Sequence, residues 1–144
     1  MECLVIPVWN QLSFLDLSSF NTKNVKDMHN MFSSCIMLKS IVLSSFDTTN
    51  VSNMNCMFQS DYNLISLDLS SFNTINLESM YKMFENLQSL HYLDISNWVW
   101  NSYFDNNILY DLKSSSNPGI IKMNKAFHDK IKDKIPTNWE VELS

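Results

Sequence analysis

The chain has 144 residues, an apolar fraction of 45% and a formal net charge of −5, which together predict one domain with a sizeable core. Its ten basic residues are all lysines and are outnumbered by acidic ones, so we expect no nucleic-acid partner, which would need clustered cations. The longest apolar run, residues 3–9, contains Pro7 and is too short to span a bilayer, so this segment is expected not to insert into a membrane.

Residues 1–11 match the second half of a repeat that is found further along the chain. Trp9, for example, takes the position that Cys35 holds in a later unit. No secretory signal is recognisable, because Glu2 is acidic and no small-residue cleavage site follows. We therefore expect either a cytosolic chain or one whose beginning, with a leader or further repeats, is missing.

A repeat of 26 residues dominates the middle of the chain. Near-identical segments start at Leu15, Ile41 and Leu67, and they read LDLSSFNTKNVKDMHNMF, IVLSSFDTTNVSNMNCMF and LDLSSFNTINLESMYKMF. A unit of this length cannot bury its own apolar face, so neighbouring copies must stack on one another. The sequence therefore predicts an α/β solenoid of about four units over residues 12–116.

Each unit predicts a short parallel strand followed by a helix. Alternating apolar residues indicate strands with one buried face at Leu15 and Leu17, Ile41 and Leu43, Leu67 and Leu69, and Leu93 and Ile95. Asn or Asp followed by Thr then indicates a helix start. Apolar residues at helical spacing come next, at Val25, Met28 and Phe32, at Val51, Met54 and Phe58, and at Leu77, Met80 and Phe84. A loop leads to the first buried side chain of each following strand, at Leu12, Leu38, Leu64 and Leu90.

The fourth unit, which starts at Tyr92, keeps the strand but loses the methionine and phenylalanine pattern of the earlier units. Helical spacing is still present at Phe104, Ile108 and Leu112. Residues 117–144 then predict a C-terminal cap made of a fifth strand, a helix and a closing strand. Together with the leading half-unit and the repeat region, this cap is expected to form one domain.

The elements of the cap follow from a few residues. Ile121 lies 26 residues after Ile95, so the fifth strand is expected to keep the register of the repeat. Asn124 is a favourable N-cap for the lysine-rich helix, which should end before Pro136. The inner face of that helix comprises Phe127 and Ile131. Alternating burial predicts a closing strand at Trp139, Val141 and Leu143.

One motif connects the repeat to a known family. The pattern C-x-x-L-x-x-I-x-L occurs at Cys35, Leu38, Ile41 and Leu43 and continues as LSSFDTTNVSNMNCMF. Over about residues 9–100 the chain resembles the BspA-type leucine-rich repeats, which also occur in mycoplasma surface lipoproteins. Ordinary leucine-rich repeats have an asparagine ladder after the strand, whereas an aromatic spine is expected here from Phe20, Phe46, Phe72 and Trp98. The resemblance implies a cell-surface or secreted region that binds host proteins or other cells and has no catalytic residues.

The outward-facing residues of the stacked strands form the candidate binding face. In a leucine-rich-repeat-like solenoid the strands lie on the concave face and the helices on the convex face. The candidate partner-binding residues are Phe14, Asp16, Ser18, Ser40, Ser44, Ser66, Asp68, Ser70, Tyr92, Asp94 and Ser96. Neighbouring strands are about 4.8 Å apart, so Asp68 and Asp94 are expected to be close like charges that a basic partner or a cation would relieve. The alternative is a solvated acidic face that only maintains solubility.

Other side chains that carry chemistry are better explained by structure. Thioethers suit Cu(I), but the repeated methionines belong to the face that is expected to be buried: Met28, Met31, Met54, Met57, Met80 and Met83. Cys35 is expected inside and Cys56 outside, and three cysteines cannot all pair within one chain. The three histidines occupy different positions in their units, and no nucleophile motif or glycine-rich phosphate loop occurs. We therefore predict no enzymatic activity, no metal and no cofactor.

The function predicted from the sequence is a non-enzymatic protein-binding repeat module. It would contact a host extracellular protein or another cell through the concave strand face. The alternative, from a different class, is an intracellular scaffold or a degenerate repeat segment without a ligand of its own. Family resemblance implies a location at the cell surface or secretion, and the cytoplasm is the alternative, because no signal is recognisable in this chain. The identity of the partner and the oligomeric state stay open.

Overall fold

A computed structural model of the protein describes residues 11–103, 109, 112 and 118–144. It is a mixed α/β structure with short strands and one short α-helix. Its elements are β1 (Phe14–Asp16), β2 (Ser40–Val42), β3 (Ser66–Asp68), β4 (Tyr92–Ile95), β5 (Gly119–Met123), α1 (Lys125–Ile131), a 3₁₀ turn (Lys132–Lys134) and β6 (Trp139–Leu143).

The strands form two parallel sheets whose register follows the repeat. β1 pairs with β2, and a second sheet has the order β3-β4-β5-β6. Leu15 lies opposite Ile41, and Leu67 lies opposite Leu93, so residues 26 apart in the sequence are neighbours in space. The parallel pairing expected from the repeat is therefore confirmed.

The inward-facing side chains of the strands form a continuous core with the apolar residues of the intervening segments. All the leucine and isoleucine pairs predicted for the strands are buried. The apolar residues predicted on the helical faces of the first three repeats are also buried or partly buried in this core. Burying this apolar surface is the main stabilising contribution, at about 25 cal/mol per Å² removed from water.

The helices predicted after β1, β2 and β3 are absent, and these segments consist of turns instead. Each of the three segments contains two residues with φ between 55° and 66°, namely Asn30 and Ser34, Cys56 and Ser60, and Lys82 and Asn86. This left-handed conformation is incompatible with an α-helix of L-residues. The prediction of a helical outer layer was therefore wrong, although it identified the buried side chains correctly.

The turns replace helices because their amides bond to the next repeat. The N–H of Met28 donates to the carbonyl oxygen of Asn53, and the N–H of Phe32 donates to that of Met57, both at 2.9 Å. Parallel bridges also join Asp27, Asn53 and Ser79. A helix satisfies its amides internally, whereas near-identical neighbouring units offer an equivalent carbonyl at every level. The stack thus has a second hydrogen-bonded ladder on the side of the turns, in addition to the strands.

A threonine ladder joins the repeats between these two sides. Buried Thr48 donates its hydroxyl to the carbonyl oxygen of Asn73 at 2.9 Å and accepts the N–H of Asn73 at 2.8 Å. Thr22 makes the same pair of bonds to Asp47, and Thr74 makes them to Val99. Each hydroxyl therefore satisfies one donor and one acceptor of the following repeat, as buried backbone groups require.

The aromatic side chains after the strands stack in part as expected. Phe46 and Phe72 are buried, and their ring centroids are 6.2 Å apart with planes only 2° from parallel. Trp98 is buried against Phe84 at 6.1 Å. Phe20 departs from the predicted spine, because half of its surface is exposed. Leu12, which was also predicted to be buried, is exposed as well.

The fifth strand is present but shifted from the predicted register. Ile121 lies opposite Leu93, and Met123 lies opposite Ile95. The spacing between paired residues thus rises from 26 to 28. Ile121 was therefore not in register with Ile95, because the longer connection before β5 adds two residues to the unit.

The helix of the C-terminal region matches its sequence signals. The side chain of Asn124 accepts the N–H of Phe127 at 2.9 Å, which confirms the N-cap. Phe127 and Ile131 are both buried on its inner face. After the 3₁₀ turn, Ile135 is extended with ψ 130°, as the residue before a proline usually is.

The closing strand β6 pairs in parallel with β5. Its predicted alternation of burial holds only at its start, because Trp139 is buried and Val141 half-buried while Leu143 is exposed. Trp139 packs on Gly119, where an added Cβ would lie 2.8 Å from the indole ring. The close contact explains why the only glycine of the chain stands at this position.

Some sequence predictions fall outside the described residues. Most of the leading half-unit at 1–11 lies there, and so do Phe104 and Ile108 of the predicted fourth helix. Leu112, the third member of that predicted face, is buried. The division into a half-unit, a repeat region and a cap stays a prediction.

Candidate functional site

The outward-pointing side chains of the strands, together with the turn residues that directly follow them, form one side of the molecule, here called the strand face. The predicted residues at exposed positions are Phe14, Asp16, Ser18, Ser44 and Asp68. Those at half-buried positions are Ser40, Ser66, Ser70, Tyr92 and Ser96. Within each sheet the expected neighbours are adjacent, as in the pairs Ser66 with Tyr92 and Asp68 with Asp94.

The aspartates of the strand face are held by their own backbone. Asp16 Oδ1 accepts the N–H of Ser18, and Asp68 Oδ1 accepts the N–H of Ser70, both at 2.9 Å. These Asx turns end the strands. The bond from Ser18 is also the main cause that lowers the pKa of Asp16. One oxygen of each carboxylate thus stabilises the turn that follows its strand.

Asp94 departs from the predicted arrangement because it is buried, with 4% of its surface exposed. Its Oδ2 lies 3.3 Å from Nζ of Lys122 in β5 and accepts the hydroxyl of Tyr92 at 3.2 Å. Burial raises the pKa of Asp94, but hydrogen bonds from Ser96 and the charge of Lys122 outweigh it, so the pKa lies below its ordinary value. The like charges expected at Asp68 and Asp94 are therefore already compensated in part within the chain.

The C-terminal strands extend the strand face, which sequence reasoning missed. Lys122 follows Asp94 in the lateral row, and Glu142 follows Lys122. Ile120 and Glu140 extend the row of Tyr92 in the same way. The alternation in β5 and β6 was the available signal, but these strands were treated as a cap and not as further members of the face.

The strand face is interrupted between β2 and β3, which belong to different sheets. The N–H of Leu17 donates to the carbonyl of Val42 at 3.2 Å, and that of Leu69 donates to Asp94 at 2.8 Å. The structure gives no equivalent bond from Leu43 to Asp68 within the described residues. A cleft of about 190 Å³ opens there, lined by Ile41, Val42, Leu43, Ser44, Asp68, Ser70 and Ser71.

A second polar feature lies inside the core. Asp61 is fully buried, and its Oδ1 accepts the N–H of Cys35 at 2.7 Å. Its Oδ2 has no hydrogen-bond partner among the residues that the structure describes. Burial raises the pKa of Asp61 to about 8. Burial, with a smaller effect of Asp61, also raises the pKa of the Cys35 thiol to about 12. Sequence reasoning did not single out Asp61, although it stands in the slot of Cys35 one repeat later.

The remaining candidates are placed as follows. Cys35 is buried and Cys56 is partly exposed. Of the repeated methionines, all but the half-buried Met31 are buried. Within the described part of the chain, no three histidine, cysteine or acidic side chains lie close enough to hold a metal ion together. Across residues 11–103, 109, 112 and 118–144, no helix is long and apolar enough to cross a bilayer.

Comparison with known proteins gave one family match. The model of a family described as "Mycoplasma protein of unknown function, DUF285" matches residues 7–121, which is most of the chain. No match was found among curated proteins or among solved structures. The matched region contains the complete repeats and strands β1 to β4.

Proposed function

Because the chain belongs to the DUF285 family of mycoplasma proteins of unknown function, we propose that it is a non-enzymatic repeat module that binds a protein partner through the strand face. The repeats are proposed to form one leucine-rich-repeat-like solenoid of the BspA type, with the strand face on its concave side. The pairing of residues 26 apart supports this arrangement.

The observation that carries the proposal is the way in which exposed carboxylates are fixed on the strand face. Asp16 and Asp68 are exposed, and each uses Oδ1 to accept a backbone N–H. A side chain that is already ordered loses less conformational entropy on binding. The face therefore presents oriented acceptors on short strands whose backbone is held by parallel pairing.

The charge of the strand face favours a basic partner. Among the described residues of its lateral rows, Asp16, Asp68, Glu140 and Glu142 are exposed acids. The one lysine in these rows, Lys122, pairs with Asp94. Complementary charge speeds association and selects partners more than it raises affinity, so a partner with a basic contact surface is expected.

We also propose that the module acts outside the cell, displayed on the surface or secreted, in adhesion or in contact with a host extracellular protein. The resemblance of the motif from Cys35 onwards to BspA-type repeats supports this assignment. It agrees with the description of the matched family as a mycoplasma protein.

A specific observation favours a second candidate, a scaffold segment without a ligand of its own. The acids of the strand face also have structural roles, since Asp94 is paired with Lys122 and the carboxylates of Asp16 and Asp68 end their strands. Residues with such roles would be retained even if the face bound nothing.

A binding experiment with isosteric variants separates the two candidates. The purified chain is immobilised and tested against a panel of purified extracellular-matrix and plasma proteins. The test variant carries Asp16→Asn and Asp68→Asn, because asparagine removes the charge but still accepts the turn N–H. We expect saturable binding by the native chain and at least about tenfold weaker binding by the variant, since hydrogen bonds to charged groups contribute more than neutral ones.

The matched control carries Asp27→Asn and Asp47→Asn. These residues form the same Asx turns, to His29 and Thr49, but lie outside the strand face. The control should bind as tightly as the native chain. Equal losses in both variants would indicate a general charge effect, and the absence of any saturable partner would favour the scaffold.

A further inference from the structure

The cleft between β2 and β3 lies in the middle of the strand face, at the place of one departure in the repeat. Val42 occupies the position that holds Asp16, Asp68 or Asp94 in the other repeats. A valine side chain cannot accept the N–H of Ser44, so the turn after β2 lacks the Asx bond that follows β1, β3 and β4. The two sheets separate at this position.

The separation leaves hydrogen-bonding groups of Asp68 available. Its Oδ1 accepts the N–H of Ser70, and no ion pair to its carboxylate is found among the described residues. Its carbonyl oxygen lacks the bond from Leu43 that equivalent carbonyls receive in the neighbouring repeats. The carboxylate and the carbonyl oxygen of Asp68 are therefore two acceptors from one residue. Ser44 and Ser70, which carry hydroxyls, also line the cleft.

The lining of the cleft also includes apolar residues, among them Val42 and Ile41. At about 190 Å³ the cleft is smaller than the 300 to 1,000 Å³ that are typical of small-molecule sites. Its size and its combination of acceptors with apolar residues suit one long cationic side chain. Arginine fits better than lysine, because its planar fork donates to several acceptors at once while its stem packs on apolar surface.

We infer that the cleft between β2 and β3 receives an arginine side chain of the protein partner, an inference that rests on the proposed function. The guanidinium donates to the carboxylate and carbonyl oxygens of Asp68, and the aliphatic stem lies on Val42. The cleft thus provides the specific contact at the centre of a face that is otherwise only complementary in charge.

The direct test is an NMR titration of the whole chain, labelled with ¹⁵N, with the peptide acetyl-Gly-Arg-Gly-amide. Two matched peptides carry lysine or citrulline, the uncharged analogue of arginine, in its place. The arginine peptide should shift the amide signals of Leu43, Ser44, Asp68 and Ser70 in a saturable way. Lysine should bind more weakly at these residues and citrulline should not bind. Equal shifts around all exposed carboxylates would overturn the inference.

Two variants test the geometry. Val42→Asn restores the Asx acceptor of the other repeats without adding charge, so it should close the cleft, slow the exchange of the Leu43 amide and abolish the localised shifts. Asp68→Asn keeps the turn but removes the charge, so the arginine peptide should bind about tenfold more weakly to this variant. Undiminished binding by a folded Val42→Asn chain, with its native dispersion of signals, would contradict the inference.

The outcomes separate this inference from the proposed function. A panel protein that loses affinity with Asp16→Asn and Asp68→Asn but not with Val42→Asn would support the strand face and overturn the arginine cleft. Localised binding of the arginine peptide without any panel partner would support the cleft and count against partner binding among the proteins tested. Loss of binding to a panel protein in the Val42→Asn variant would support both the strand face as the binding surface and the arginine cleft.

Discussion

Aspartate and asparagine side chains at the starts of turns hold the N–H two residues ahead throughout the repeats. Asp47 accepts from Thr49, and Asn73 accepts from Ile75, both at 3.0 Å. The same residue types are favoured at helix N-caps, because short polar side chains satisfy free amides in either setting. The capping signals in the sequence are therefore genuine, but within the described residues they start turns in the repeats and a helix only at Asn124.

Ionisation of Asp61 is expected to affect stability, because its carboxyl is fully buried. Its pKa in the folded chain is about 8, against an ordinary value of 3.8, so the folded state binds the proton more tightly than the unfolded state does. The contribution of the neutral carboxyl to stability is complete below about pH 4 and is lost as the pH rises through about 8. Cys35, with a pKa of about 12, remains a thiol over this range.

We predict that the free energy of unfolding, measured with urea, falls by several kcal/mol between pH 5 and pH 9, since a shift of this size is worth on the order of several kcal/mol. Asp61→Asn keeps the shape and removes the charge, so most of this fall should disappear. Asp129→Asn, at an exposed position, serves as the control and should show the same fall in the free energy of unfolding as the native chain. Parallel pH profiles for the native chain and Asp61→Asn would contradict the assignment.

At the scale of elements, each repeat is joined to the next by strand pairing, by the threonine ladder and by amides of the turns. Thr48 contributes both a donor and an acceptor to Asn73. A buried group that loses its partner costs more than the net value of a hydrogen bond, because its desolvation is no longer compensated. The threonine ladder is thus more sensitive to substitution than its small size suggests.

Thr48→Val should lower the free energy of unfolding by about 2 kcal/mol, because the N–H and C=O of Asn73 both lose their partner while the shape of the side chain is kept. Thr48→Ser retains the hydroxyl and should cost clearly less. Thr49→Val, at an exposed neighbouring position, is the control with no expected loss. Urea denaturation of the three variants measures the differences, and an equal cost for valine at both positions would refute the ladder.

The sequence predicted the strands and the buried side chains better than it predicted the backbone between them. Leu67 and Leu69 indicate one buried strand face through simple alternation, and both are buried. Spacing at i, i+3 and i+7 indicated a helix, but turns bury the same side chains through left-handed residues such as Cys56 and Lys82. Neither residue type favours positive φ, so only the bonds to the next repeat reveal the turn.

At the scale of the whole molecule, the stack is not uniform. β3 to β6 form one continuous sheet, while β1 and β2 form a separate one. In repeat structures each unit is stabilised mainly by its neighbours. Among the described residues, the junction between β2 and β3 lacks the bond from Leu43 to Asp68 that has equivalents at the neighbouring junctions. The N–H of Ile65 still donates to the carbonyl oxygen of Lys39 at 3.0 Å across this junction, and turns and threonines cross it as well.

Hydrogen exchange should reveal this weak junction. Leu43 and Leu69 occupy the same position in successive repeats and are both buried, but only Leu69 donates its N–H across the sheet, to Asp94 at 2.8 Å. The Leu43 amide should exchange at least about tenfold faster, since local opening governs protection. Equal protection of the two amides, measured by NMR, would show that the sheet is continuous.

The strand face illustrates what one sequence can and cannot predict about a candidate site. Alternation placed Asp16 and Asp68 outward, and both are exposed. The burial of Asp94 depends on Lys122, which becomes its neighbour only through a register that two additional residues set. Such a contact between distant positions has no local signal. The same is true of the cleft beside Val42, which lies where the described residues lack a bond and not where a motif is present.

The ladders have a consequence for how such a chain can change its length. Because Thr22, Thr48 and Thr74 make the same bonds to successive units, the threonine ladder is equivalent from one junction to the next. Duplication or loss of a whole 26-residue unit therefore preserves this ladder, whereas a one-residue insertion within a strand would turn its buried side chains outward. Variation in reach by whole units is thus compatible with this architecture, and the longer connection before β5 shows where smaller changes are absorbed.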